Sequence, residues 1–145
     1  MPEIRESDLE TALGVLSQLP EFDALKSADH YRQLISGQKS LILTAFDQDK
    51  AIGCKIGYDR FKDGSFYSWL GGVLPDYRKD GVAKALAQHQ EKWAVENGFT
   101  SIKFKTRNRH KAMLQFALRN GFSIYNVKPK AALEDYRIEL IKPLT

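Results

Sequence analysis

The chain has 145 residues, 43% of them hydrophobic and 28% charged, with one cysteine and a net charge of +4. That length supports one domain with a real core, and the composition is that of an ordinary globular protein. A lone cysteine excludes an internal disulfide and a cysteine-based metal cluster, no apolar run is long enough to cross a bilayer, and the opening MPEIRESD lacks the features of a secretory signal, so a cytoplasmic address is expected.

Ile4 and Arg5 begin a short strand, after which Ser7-Asp8-Leu9-Glu10 has the spacing of a capping box. Leu9, Leu13 and Leu16 continue at helical spacing toward Leu19-Pro20. A second short helix is expected from Ser27 to Ser36, with Tyr31, Leu34 and Ile35 inward and Gly37 as its stop. Ser40–Phe46 and Ala51–Tyr58 read as antiparallel strands about the turn 47–50, and Asp63-Gly64 signals a hairpin into a strand over Ser65–Val73.

Gly81 to Asn97 reads as a helix with Val82, Leu86, His89 and Trp93 on one face, which makes His89 a core histidine. Thr100–Thr106 is the next strand. Its alternation of Lys103, Lys105 and Arg107 with apolar or small residues predicts a solvated basic face. Asn108–Asn120 follows as a helix burying Met113, Phe116 and Ala117, and strands over Ser123–Lys128 and Tyr136–Ile141 close the chain. The order β-α-α-β-β-β-α-β-α-β-β makes an α/β chain whose early strands are antiparallel. The crossover through the Gly81 helix makes the strands on either side of it parallel.

Two features of the stretch 65–98 bear on chemistry. Gly71-Gly72 interrupts an apolar strand, which suggests a bulge that splays this strand from the one at Thr100 and leaves backbone groups free to pair with an extended, amide-containing ligand. The turn Arg78-Lys79-Asp80-Gly81-Val82-Ala83 then enters a helix, where unpaired N–H groups and the helix dipole favour a phosphate. Arg78 and Lys79 supply charge there without setting the geometry. The turn lacks the endings of a Walker loop or a dinucleotide fingerprint.

Val73-x-Pro75-x-x-Arg78-x-x-Gly81-Val82-Ala83-x-x-Leu86 resembles motif A of the GNAT superfamily of acyl-CoA-dependent N-acyltransferases. Asn108 through Gly121-Phe122 resembles the motif B that follows it. The resemblance implies a mixed, mostly antiparallel sheet with one parallel pair splayed at a cofactor cleft and helices flanking it. It implies one N-acyltransferase domain over residues 1–145, moving an acetyl group from acetyl-CoA to an amine by direct attack in a ternary complex, without metal. The backbone of Arg78, Lys79, Asp80, Gly81, Val82, Ala83 and Lys84 would hold the pyrophosphate, and Val73 and its neighbours would pair with the pantetheine amides. Asn108 would also bond the pantetheine arm, and Lys111 would meet the nucleotide's phosphates.

The tyrosine that protonates the departing thiolate in many members falls at Ala117 here, which leaves Tyr125 and Tyr67 as candidate proton donors. His110 reads as a solvated residue, His30 has no nameable partner, and Cys54 reads as a small buried hydrophobe. Glu21, Asp23 and Asp29, in the segment that commonly lines the acceptor pocket of this family, would attract a cationic amine if they faced it. Two alternatives stay open: a coenzyme A-binding regulatory module without catalysis, and an acetyltransferase acting on a charged tRNA. The expected partners are acetyl-CoA and an unidentified amine, with no membrane and no nucleic acid; a homodimer is compatible with the reading.

Overall fold

Leu41, Leu43 and Ala45 alternate along one strand, and Phe66 and Ile102 join them on the same face of the sheet, all buried beneath Val82, Leu86 and Ala94 of one helix. Burying each of the valine, leucine, isoleucine and phenylalanine side chains contributes about 1.5–3 kcal/mol, which makes this layer the main anchor of the fold. The computed structural model describes residues 2–144. In chain order its elements are β1 (Glu3–Glu6), α1 (Leu9–Leu16), α2 (Ala28–Ile35), β2 (Ser40–Asp47), β3 (Lys50–Tyr58), β4 (Ser65–Val73), α3 (Val82–Glu96), β5 (Ser101–Arg107), α4 (Lys111–Arg119), β6 (Ser123–Lys128) and β7 (Arg137–Pro143).

The seven strands form one sheet in the order β1-β2-β3-β4-β5-β7-β6. Every neighbouring pair is antiparallel except β4–β5, which α3 connects as a parallel pair. This is the mixed, mostly antiparallel sheet with one parallel pair that the sequence implies. α3 and α4 lie on one face, where α4 buries Ala117 against Ile138 and Leu140. α1 and α2 cover the other face over β3 and β4, packing Leu16, Leu19 and Tyr31 against Cys54 and Ile56. Among the described residues, that face beyond β4, over β5, β7 and β6, has no helix on it.

Several local expectations are corrected. Asp8, rather than Ser7, caps α1, accepting from Thr11 N at 2.7 Å. The Ser7 hydroxyl lies 2.6 Å from that of Thr44, a fully buried group that needs a partner. Leu34 and Met113 point outward, and on α3 it is Gln90 rather than His89 that turns into the core; His89 is exposed. The helical stripe therefore steps by four through Val82, Leu86, Gln90 and Ala94. α4 starts three residues later than expected, because the amides of Asn108 and Arg109 bond to Tyr136 O and Glu134 O and prolong the β5–β7 pairing. The connection after β3 is the six-residue loop 59–64 rather than a tight hairpin, with Lys62 and Gly64 both at positive φ.

The bulge in β4 also falls elsewhere. Gly71 and Gly72 pair in regular register with Lys55 and Cys54, whereas Ile56 faces Leu70 and Gly57 faces Ser68, so Trp69 is the extra residue. Gly72 serves packing instead: a Cβ there would come within 2.4 Å of Leu19 Cδ1, so the glycine lets the end of α1 close onto the strand.

Candidate functional site

β4 and β5 pair only at Ser65–Ser101, Phe66–Ile102 and Tyr67–Lys103. The bulge at Trp69 follows at once, and beyond it the two strands separate. From Ser68 onward the β5-side backbone groups of β4 have no ladder partner among the described residues, so they can pair with an extended ligand. The splay expected from the glycine pair is present; the extra residue at Trp69 produces it.

The turn into α3 stands beside this opening. Lys79 takes φ 75° and Gly81, the residue before the helix, takes φ 80°. A left-handed conformation is inexpensive for glycine and unfavourable for other residues, and nothing lies within 4 Å of where a Gly81 Cβ would be. Among the described residues, the backbone N–H groups from Lys79 to Lys84 donate to no other backbone group. Six consecutive free donors at the positive end of a 15-residue helix form a concavity suited to a pyrophosphate. The donor set therefore fits the phosphates of coenzyme A, and the free strand edges beside it fit the amides of its pantetheine arm.

The side chains of this turn are placed differently from expectation. Arg78 sets geometry as well as supplying charge: its Nε donates to Val73 O at 3.0 Å and its Nη2 to Glu21 Oε1 at 3.2 Å. Val73 O is thus occupied, and Val73 and Val82 side chains are buried in the core. Lys79, Asp80, Ala83 and Lys84 are exposed. Asn108 and Lys111 meet at the far side of the opening, where Asn108 Nδ2 donates to Leu133 O at 3.2 Å and Lys111 Nζ to Asn108 Oδ1 at 3.0 Å. Asn108 ties down the loop before β7 in this arrangement.

On the face away from α3, Tyr67 and Tyr125 flank Lys103. Tyr67 is its partner across β4–β5, and Lys103 Nζ stands 5.5 Å from the Tyr125 ring centre. Tyr67 is buried and burial pushes its phenol pKa up; Tyr125 is 45% exposed and is pushed up by the same cause. Both stay neutral near pH 7 and so hold a proton to give. Ala117, by contrast, is 2% exposed and enclosed by Ile138, Leu140 and Phe104, so no hydroxyl comes from that position. Burial lifts the Cys54 thiol pKa to about 12, which fits a packed hydrophobe rather than a nucleophile.

The solvated basic face expected of β5 is corrected on this side of the sheet. The lysines of β5 are not solvated: their side chains are 20% exposed for Lys103 and 15% for Lys105. Lys103 Nζ bonds Asp63 Oδ2 at 2.8 Å, and this contact, with those from Ser65, holds the Asp63 carboxyl down to about 2. Lys105 faces Glu139 of β7, a 7% exposed carboxylate that accepts from Asn126 Nδ2 at 3.2 Å through Oε1 and pairs by charge with Lys128 Nζ at 3.4 Å through Oε2. Burial raises the Glu139 pKa, but these donors outweigh it and hold the carboxyl below its usual range. The alternation of Lys103 and Lys105 was legible in the sequence, whereas the buried carboxylate opposite came from a strand more than thirty residues away.

The model of the acetyltransferase (GNAT) family matches residues 3–122. The chain belongs to the GNAT family. Solved structures agree with this fold at low identity. The ribosomal-protein-S18-alanine N-acetyltransferase of Escherichia coli superposes with a TM-score of 0.82 at 18% identity, covering 100% of this chain and 95% of that one. Ard1 of Thermoplasma volcanium gives 0.83 at 15%, covering 99% and 98%. An aminoglycoside 6'-N-acetyltransferase complexed with coenzyme A gives 0.82 at 16%, covering 99% and 97%. A sequence comparison with curated proteins finds no significant match. As a GNAT protein this chain is an acyltransferase by family, and among its described residues no helix is long and apolar enough to cross a membrane.

Proposed function

We propose that the chain acts as one N-acetyltransferase domain over residues 1–145, transferring an acetyl group from acetyl-CoA directly to an amine. The observation that carries this reading is the row of free N–H groups from Lys79 to Lys84 beside the opening between β4 and β5. In this reading the turn holds the pyrophosphate by its backbone, and the free edge of β4 beyond Tyr67 pairs with the pantetheine amides. Coenzyme A supplies the activated acyl group as a thioester.

The protein's part is chiefly positioning, because holding two reactants together removes much of the entropic barrier. A free N–H of β4 polarises the thioester carbonyl as negative charge develops on its oxygen. An amine with a pKa of about 10.4 must lose a proton before it attacks, and the departing thiolate must gain one. Tyr67, the last β4 residue to pair with β5, and Tyr125, whose ring lies 5.5 Å from Lys103 Nζ, are both neutral and are the proposed donors for the second step. No covalent enzyme intermediate is needed.

The experiment is a thermal melt with acetyl-CoA followed by thiol release with a broad panel of amines. A ligand at a hundredfold excess over its Kd adds about 2.7 kcal/mol, or on the order of 5–10 °C in Tm for a chain of this size. No shift at millimolar acetyl-CoA overturns the reading. The closed, hydroxyl-free position at Ala117 favours one second reading, a regulatory module that binds coenzyme A without turnover. A shift in Tm without thiol release from any amine would select it.

A further inference from the structure

Cations crowd the helix-free face of β5 and β7. Lys105 has Glu139 Oε2 as its nearest carboxylate oxygen, at 4.0 Å, and Lys128 stands closer to that same oxygen at 3.4 Å. Arg60, Arg137 and Lys128 are near enough to Lys105 that their charges, added to burial, pull its ammonium pKa below the usual range. Aromatic rings line the remainder. The Arg60 guanidinium is 5.0 Å from the Tyr67 ring centre, and Lys103 and Lys105 ammoniums are 5.2 and 5.6 Å from that of Phe61. Among the described residues, Lys103, Lys105 and Lys128 have only Asp63 and Glu139 as ion-pair partners, and Arg60 and Arg137 have none. Lys103 and Lys105 are largely buried while Arg60 and Lys128 are exposed, and buried like charges are unfavourable unless an anion joins them.

This cluster lies on the opposite face of the sheet from α3, so it is separate from the phosphate-holding turn. It adjoins the opening at its closed end, because Lys105 is two residues beyond Lys103, the last β5 residue to pair with β4. Two of the three acidic residues that would favour a cationic acceptor are already engaged, Glu21 with Arg78 and Asp29 with Arg32, while Asp23 is exposed on the loop before α2.

We infer that the acceptor is an amine that also carries an anionic group, a carboxylate or a phosphate, which Lys105, Arg60 and Arg137 receive while the amine points into the opening. This rests on the acetyltransferase reading above. A small anion suits the site better than a nucleic acid, since Lys105 is recessed between Phe61 and Glu139.

The test uses the acetyl-CoA-loaded protein and matched pairs of amines: amino acids against their amides, and phosphorylated amines against their unphosphorylated counterparts. Binding is read by tryptophan fluorescence, since Trp69 lies beside Tyr31 and Tyr58 next to this face, and turnover by thiol release. At least one anionic member should bind tenfold or more tighter than its neutral partner, with the carboxylate and phosphate pairs deciding which anion is meant. Lys105→Gln should erase that preference while leaving the acetyl-CoA melting shift unchanged, and Lys92→Gln on the exposed side of α3 should change neither. Arg60→Gln, at an exposed position, serves the same purpose if Lys105→Gln does not fold. The inference is overturned if no anionic member binds more tightly than its partner, or if the preference survives these substitutions. It is also overturned if a short RNA displaces every small anion with a steep salt dependence. Failure of acetyl-CoA to shift the melt would instead remove the acetyltransferase reading itself.

Discussion

The two sides of the opening are built from different materials. The turn from Arg78 to Lys84 presents backbone: free N–H groups, a glycine at positive φ and a helix dipole, with Lys79 and Lys84 as exposed additions. The face of β5 and β7 presents side chains: lysines and arginines held against aromatic rings and two carboxylates. A backbone site survives most side-chain changes, while a side-chain site can be retuned by one or two of them. On the proposed reading, one architecture can therefore keep a common donor and vary its acceptor.

Substitutions can break this contrast at several points. The largest effect is expected from Ala117→Tyr, which restores a tyrosine at the position where many GNAT members carry one but forces a large ring against Ile138 and Leu140. Overpacking of this kind costs about 1–3 kcal/mol or more, so chemical denaturation should show a clear loss of stability without a gain in thiol release. Ala83→Pro removes one free N–H in the first turn of α3, where a helix tolerates proline. A hydrogen bond to a charged group is worth about 1.5–3 kcal/mol, so titration calorimetry should show acetyl-CoA binding weakened by tenfold or more while Tm without ligand moves little.

Gly81→Ala should cost about 1–2 kcal/mol of stability through the left-handed backbone alone, since the space around it is open. Lys79→Ala and Lys84→Ala, in contrast, should leave Tm unchanged and only lessen the salt dependence of acetyl-CoA binding. An effect from these lysines larger than that of Ala83→Pro would reverse the comparison.

The smallest effect concerns Asp63, whose carboxyl is held down to about 2 from 3.8 by Lys103 and Ser65. A depressed carboxylate stabilises the fold above its unfolded pKa and loses that contribution as pH falls through its folded one. Asp63→Asn should therefore lower Tm slightly at pH 7, with the difference from the parent protein vanishing between pH 4 and pH 2. The pair is partly exposed, so the change at neutral pH should stay within about 1 kcal/mol. A difference that persists at pH 2 would show that Asp63 acts through its turn geometry instead of its charge.

What could be read in the sequence was local. The free N–H groups at the start of α3 follow from Gly81 and the helical stripe through Val82 and Leu86, all within a few residues of one another. The same locality made the strand and helix order legible, along with the parallel setting of β4 and β5 that a single crossover helix requires. Helix faces were less secure: Gln90 and His89 are neighbours on α3, and only packing against the sheet chose between them.

Register and long-range pairing were decided by the tertiary structure alone. The glycine pair at Gly71-Gly72 suggested the bulge, but pairing with β3 placed the extra residue at Trp69, because matching Ile56 to Leu70 keeps both on the α1 face. Lys105 and Glu139 are far apart in the chain, and their meeting depends on β7 inserting between β5 and β6. A hydrogen-bonded helical turn is fixed by residues three or four positions apart, whereas a strand's partner is set by the whole sheet. Sequence alone therefore determined the turn into α3 and the parallel setting of β4 and β5, and only the tertiary structure placed the opening between those strands and assembled the charged face opposite it.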